Sequence, residues 1–98
     1  MSMKPDEILI EAGKLFKARN GVYGDNYFNV GAALAALFPR GVHLLTEDDH
    51  LRFHIYMLIL VKLSRYANNW KEGHRDSIHD AIVYCAMLES IDFNVGTI

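Results

Sequence analysis

A run of seven apolar residues, Ile55 to Val61, limits what this chain can fold into more than any other feature. The run continues through Leu63 and Tyr66, and it follows Thr46 and Asp49, whose spacing resembles a helix capping box. A buried strand is the competing interpretation of the run taken alone. The cap and the continuation favour one long helix from Thr46 to about Ala67, apolar on all sides in its middle, as at the centre of a bundle. Seven residues are far fewer than the roughly 20 that cross a bilayer, so we expect no membrane span.

Three further helices follow from local start and stop signals. Pro5 suits the first turn of a helix that we expect to stop at Gly21. Asp25 is a candidate N-cap for a second helix, which should finish before Pro39. A last helix is predicted from about His74 to Ile91. No segment alternates with a period of two, and the connections are mostly short, so the predicted fold is all-α: a compact four-helix bundle.

Apolar residues at helical spacing indicate which faces these helices bury. The first helix carries one such stripe, made of Ile8, Leu9, Ala12, Leu15 and Phe16. The predicted buried set of the last helix is Ile78, Ala81, Ile82, Cys85, Met87 and Leu88. Cys85 is therefore expected to be a core residue rather than a nucleophile.

Length and composition exclude several classes of protein. The chain has 98 residues, which allows one domain over positions 1–98. Its net charge of −2 argues against a protein that coats nucleic acid nonspecifically. The first six residues contain no apolar segment of the signal-peptide kind, so we expect a cytoplasmic protein. With 51% hydrophobic residues in so short a chain, we expect a homo-oligomer; a compact monomer with a dense core is the alternative.

Charged residues on the last two helices form the first candidate site. Asp76, Asp80 and Tyr84 recur every four residues and share one helix face. Lys62 and Arg65 share a face of the preceding helix, whose end should lie beside them. One interpretation is a structural cluster of salt bridges between two helices. The other is a polar site in which the two cations hold phosphate and the two aspartates hold Mg²⁺ or a sugar hydroxyl.

Aromatic residues in connections form the second candidate site. In the segment 19–26, two glycines flank Tyr23 directly before a helix start, which is a natural place for an anion. Tyr23 could stack on a base and Arg19 could contact phosphate, or the segment could be only a tight turn with a packed tyrosine. Trp70, in the connection before the last helix, could cover a base or pack against the bundle end or an oligomer neighbour.

Several short motifs together resemble a known group of proteins. The elements are Tyr23-Gly24-Asp25, Lys62-x-x-Arg65 and Asp76-x-x-x-Asp80-x-x-x-Tyr84. In this order they resemble a small phage and prophage family of unassigned function, itself similar to the MazG-like all-α nucleoside triphosphate pyrophosphohydrolases. The resemblance implies an oligomeric helical bundle with a nucleotide pocket.

The resemblance also implies a metal, because acidic residues on two neighbouring helices bind Mg²⁺ in MazG-like enzymes. Asp80 would match the last of these acids, and Asp76 would partly replace its neighbour. The first acidic pair has no counterpart, because no acidic residue lies between His54 and Arg65. Two carboxylates could still hold one Mg²⁺ with water completing its shell.

These observations lead us to expect a phage-type nucleotide-binding protein, one that sequesters a nucleotide or cyclic nucleotide signal. A Mg²⁺-dependent nucleoside triphosphate pyrophosphohydrolase is the first alternative, and a non-catalytic protein-interaction bundle is the second. The expected nucleotide-binding residues are Arg19, Tyr23, Lys62, Arg65, Trp70, Asp76, Asp80 and Tyr84.

Overall fold

The computed structural model describes residues 2–24 and 26–94, without the side chains of Val22, Tyr23 and Asn26. Within this part of the chain there are four α-helices and no strand, which confirms the all-α prediction. The helices are α1 (Pro5–Tyr23), α2 (Asn26–Leu37), α3 (Glu47–Asn68) and α4 (Arg75–Asn94). None of these helices combines the length and apolar character needed to cross a membrane.

The start of α3 is fixed by the predicted capping box. The Thr46 hydroxyl accepts a hydrogen bond from the Asp49 backbone N–H at 3.1 Å. In return, the Asp49 carboxylate accepts the backbone N–H groups of Thr46 and Leu45, each at 3.1 Å. These bonds satisfy donors that a helix N-terminus leaves open. Local chemistry therefore sets where the central helix begins.

The end of α1 is fixed by Gly24 rather than by Gly21, so the predicted stop was wrong. Gly21 continues the helix, whereas Gly24 has φ 64° and ψ −156° and donates its N–H to the Asn20 carbonyl at 2.8 Å. This backbone region is accessible essentially only to glycine. The predicted N-cap of α2, Asp25, lies outside the described residues.

The helix α3 is central to the packing. It packs along α4 and also contacts α2, and each of these three helices contributes one buried apolar residue. Within the described part of the chain, the buried apolar residues are Val30, Ile55 and Ala81. Ile55 is the first residue of the apolar run, and the other six residues of the run are half-buried, so the run faces the packed helices without being enclosed by them.

The helix α1 packs little against α3 and α4, and the molecule is extended as a result. The radius of gyration is 17.0 Å. A compact domain of this length would have a radius of about 13 Å. The coordinates extend 51 × 36 × 29 Å along their principal axes. A single copy of the chain therefore does not bring α1 into the packed core.

Most of the predicted buried set of α4 is exposed. Ala81 is buried and Leu88 is half-buried, but the other members of the set are exposed: Ile78, Ile82, Cys85 and Met87. The prediction that Cys85 is a core residue was therefore wrong. The apolar residues of α4 spread over more of its circumference than α3, its one extensive neighbour, can cover. The stripe on α1 is exposed for a different reason, because α1 packs little against the other helices.

Candidate functional site

Lys62 of α3 and Asp80 of α4 form the ion pair on which the first candidate site depends. The Lys62 ammonium lies 3.0 Å from a carboxylate oxygen of Asp80. The Lys62 side chain is only 16% exposed, whereas that of Asp80 is 45% exposed. This contact places the end of α3 against the start of α4, as the short connection predicts. It holds a mostly desolvated cation at the edge of the helix pair.

Each of the other two charged residues of this site lies about one helical turn from the member of that pair on its own helix. Arg65 lies one turn beyond Lys62 and is half-buried. Asp76 lies in the first turn of α4 and is exposed. Within the described part of the chain, Asp76 forms no ion pair. A carboxylate in a first turn is favoured by the helix dipole, so Asp76 needs no cationic side chain to be stable there.

The position of Tyr84 follows from its spacing on α4. It lies one turn beyond Asp80 and is half-buried. Four residues along a helix correspond to a rise of about 6 Å. Tyr84 therefore extends the same helix face away from the α3–α4 connection.

Trp70 is an exposed aromatic residue in the connection between α3 and α4. Its ring packs edge-on against Tyr66, with 6.0 Å between ring centroids and 78° between planes. The residue is nevertheless 76% exposed. The contact with Tyr66 agrees with packing against the end of the bundle. The exposed surface of the ring leaves room for a base or an oligomer neighbour.

A close contact between Gly24 and Asn68 joins the two candidate sites. A Cβ atom added to Gly24 would lie 3.0 Å from Cγ of Asn68, in the last turn of α3. Asn68 follows Arg65 by three residues, a rise of about 4.5 Å. The turn after α1 therefore lies against the same end of α3 that carries the cations. The side chain of Tyr23, which the sequence predicts to stack on a base, lies outside the described residues.

Arg19 lines a cavity between α1 and α2. The cavity has a volume of about 310 Å³ and is mainly apolar. Phe16 and Tyr27 form part of its wall, with 6.2 Å between their ring centroids. Among the described residues, the lining is Ala12, Leu15, Phe16, Arg19, Asn20, Gly24 and Tyr27. Arg19 is therefore the charged member of an apolar groove.

A second cavity, of about 210 Å³, was not anticipated from the sequence. It is lined in part by Phe38, Tyr56 and an ion pair in which Arg52 Nε lies 2.8 Å from Asp92. The rings of Phe38 and Tyr56 pack edge-on, with 5.5 Å between their centroids. Arg52 and Asp92 are 40 residues apart in sequence. Because no local spacing relates such distant residues, only the folded structure brings them together.

The arrangement does not favour a magnesium site. Within the described residues, no group of three or more His, Cys, Asp or Glu side chains could share a metal ion. Asp80 is already paired with Lys62, and a metal there would compete with that ammonium. Metal binding by Asp76 and Asp80 stays a prediction.

Comparisons with known proteins do not extend this description: no family model, curated protein or solved structure matches the chain.

Proposed function

We propose that the protein binds a nucleotide at the corner where the end of α3 meets the start of α4 and the turn after α1. This corner site consists of Lys62, Arg65, Trp70 and Asp80, with Arg19 on the neighbouring helix. The observation that carries the proposal is the contact of Gly24 with Asn68. It supports the proposal because Gly24 belongs to the segment 19–26, and Asn68 lies at the end of α3 that carries Lys62 and Arg65.

The phosphate group would be bound by Lys62 and Arg65. An ammonium has three donors, and the ion pair with Asp80 engages one of them. Because Lys62 is mostly buried, its interaction with a second anion would be screened less than at an open surface. Arg65, one turn away, would add a planar guanidinium suited to phosphate oxygens. In this proposal Asp80 positions the ammonium rather than touching the nucleotide.

The base and the ribose would be held from the connection and from α4. The exposed indole of Trp70 offers a flat surface on which a base can stack, an interaction worth about 1–3 kcal/mol per base. Asp76, which is exposed and lies one turn before Asp80, could accept a hydrogen bond from a ribose hydroxyl. Tyr84 and Tyr23 remain further predicted contacts.

Binding is favoured over hydrolysis by the charges on α3. No acidic residue lies between His54 and Arg65, and the described residues contain no group of three or more His, Cys, Asp or Glu side chains that could share a metal ion. A bound triphosphate would therefore contact cationic side chains. The site would lack the cluster of carboxylates that holds the metal ions for phosphoanhydride cleavage. A MazG-like relationship, a phage origin and the sequestration of a cyclic nucleotide belong to this proposal through the sequence resemblance alone.

Thermal unfolding in the presence of nucleotides tests the proposal. The panel consists of AMP, ATP, cyclic AMP and cyclic di-GMP, each with and without Mg²⁺. A nucleotide at 100 times its dissociation constant should stabilise the folded protein by about 2.7 kcal/mol. The Arg65→Ala and Trp70→Ala variants should lose this stabilisation. Lys71→Ala, an exposed cation in the same connection, is the matched control and should keep it.

Two results would decide against nucleotide sequestration. If no member of the panel raises the midpoint of unfolding, the protein-interaction alternative replaces it. If chromatography of a nucleoside triphosphate incubated with the protein and Mg²⁺ shows monophosphate and pyrophosphate above the blank, the pyrophosphohydrolase alternative replaces it. We expect a midpoint shift and no product.

A further inference from the structure

A single copy of this chain leaves an unusually large surface exposed. Its accessible surface is 7855 Å². A folded monomer of the same mass exposes about 5,700 Å². The difference is about 2,200 Å², whereas a partner in a standard protein interface buries about 800 Å². One copy thus has more surface to bury than a standard interface requires.

The apolar stripe of α1 accounts for part of this surface. Its large side chains, Ile8, Leu9, Leu15 and Phe16, are all at least half exposed. They lie on one face, with Ala12 at its centre. Most of the stability of a helix in a protein comes from packing of its apolar face rather than from intrinsic helix propensity. A partner that covers this stripe would therefore stabilise the 19 residues of α1.

The cavity between α1 and α2 continues the same face. Ala12, Leu15 and Phe16 belong both to the stripe and to the cavity lining, and Tyr27 closes the opposite side. Its volume of about 310 Å³ can receive several apolar side chains. The stripe and the cavity together form one continuous apolar groove.

The charge distribution along α1 favours a second copy of the chain as the occupant. The first half carries Asp6, Glu7 and Glu11, and the second half carries Lys14, Lys17 and Arg19. Two α1 helices that pair antiparallel place the acidic half of each along the basic half of the other. A parallel pair would place like charges together. A surface that is complementary to itself in this way suits a twofold symmetric dimer.

We propose that two copies of the chain form a dimer through antiparallel pairing of their α1 helices, each stripe covering the other. With the twofold axis near Ala12, Ile8 lies beside the partner's Leu15, and Leu9 lies beside the partner's Phe16. The small side chain of Ala12 permits the 8–10 Å separation usual for packed helices. This dimer does not depend on nucleotide binding.

Sedimentation velocity of the full chain tests the dimer, with a matched pair of variants on α1. The wild type should sediment as a particle of about 22 kDa, twice the 11.2 kDa of one chain. Leu9→Glu puts a charge into the stripe and should give single chains. Ile10→Glu is the control, because Ile10 is 58% exposed and lies about 160° around the helix from Ala12. It should remain a dimer.

Disulfide crosslinking tests the orientation, in a Cys85→Ser background that removes the native thiol. An equimolar mixture of Ile8→Cys and Leu15→Cys chains should form crosslinked dimers on oxidation. Ile8→Cys alone should not, because in an antiparallel pair two copies of residue 8 lie far apart. Single wild-type chains at every concentration, or equal dissociation by Leu9→Glu and Ile10→Glu, would overturn the dimer. Crosslinking of Ile8→Cys with itself would overturn the antiparallel arrangement.

Discussion

Two glycines near the end of α1 have opposite structural roles, although they are only three residues apart. Gly24 adopts a backbone conformation closed to other residues, and an added Cβ would press against Asn68. Gly21 is helical and has open space around it. Gly24→Ala should therefore lower the free energy of unfolding by about 1–3 kcal/mol. Gly21→Ala should raise it by about 0.5–1 kcal/mol, since alanine favours a helix. Urea denaturation of both variants checks this, and equal effects would contradict it.

The capping box makes stability depend on pH through Asp49. Backbone hydrogen bonds, first from Thr46 and then from Leu45, lower the pKa of the Asp49 carboxyl. A lowered pKa in the folded state means that the ionised form stabilises the fold. That stabilisation is complete above the unfolded pKa of about 3.9 and is lost as pH falls through the lower folded value.

The Asp49→Asn variant, which cannot titrate, isolates this effect. Urea denaturation of the wild type and the variant should show the wild type more stable at pH 6. The difference should shrink as the pH falls below about 4, because the wild-type carboxylate is then protonated. A difference that stays constant down to pH 2.5 would mean that Asp49 does not contribute through its charge.

At the level of the helices, the sequence predicted what short-range chemistry decides. The start of α3 was predictable because Thr46 and Asp49 lie within one turn of each other. The contact of Lys62 with Asp80 was predictable because a short connection leaves few ways to align α3 and α4. The contact of Gly24 with Asn68 was not, because nothing local relates two residues so far apart in sequence. Exposure of most of α4 was also missed, since a pattern of apolar residues cannot show how many neighbours a helix has.

The two aspartates of α4 should differ in what they contribute to the packing of α3 on α4. Asp80→Asn removes the partner of Lys62, whose side chain is only 16% exposed. The free energy of unfolding should fall by on the order of 1 kcal/mol, because Asp80 itself is partly exposed and solvent screens the ion pair. Asp76→Asn is the matched control one turn away and should cost less, since Asp76 forms no ion pair with the described residues and is favoured by the helix dipole. Chemical denaturation that ranks the two in the reverse order would exclude a structural role for the Lys62–Asp80 pair.

For the whole molecule, the small core and the proposed dimer are connected. Among the described residues, Val30, Ile55 and Ala81 are the apolar ones that a single copy buries. So small a core leaves little apolar burial to offset the conformational entropy lost on folding. If the stripe of α1 is buried only in the dimer, then unfolding releases two chains from each folded particle, and stability must depend on protein concentration.

The dependence of stability on protein concentration distinguishes a dimer that stabilises the fold from a dimer whose chains are equally stable when separate. The midpoint of thermal unfolding of the wild type should rise when the protein concentration is increased about a hundredfold from a dilute solution. The Leu9→Glu variant should unfold at a lower midpoint that does not change with concentration, because its chains no longer associate. Ile10→Glu should behave as the wild type does. A concentration-independent midpoint for the wild type would mean that α2, α3 and α4 are sufficient for stability, and that α1 adds nothing to it.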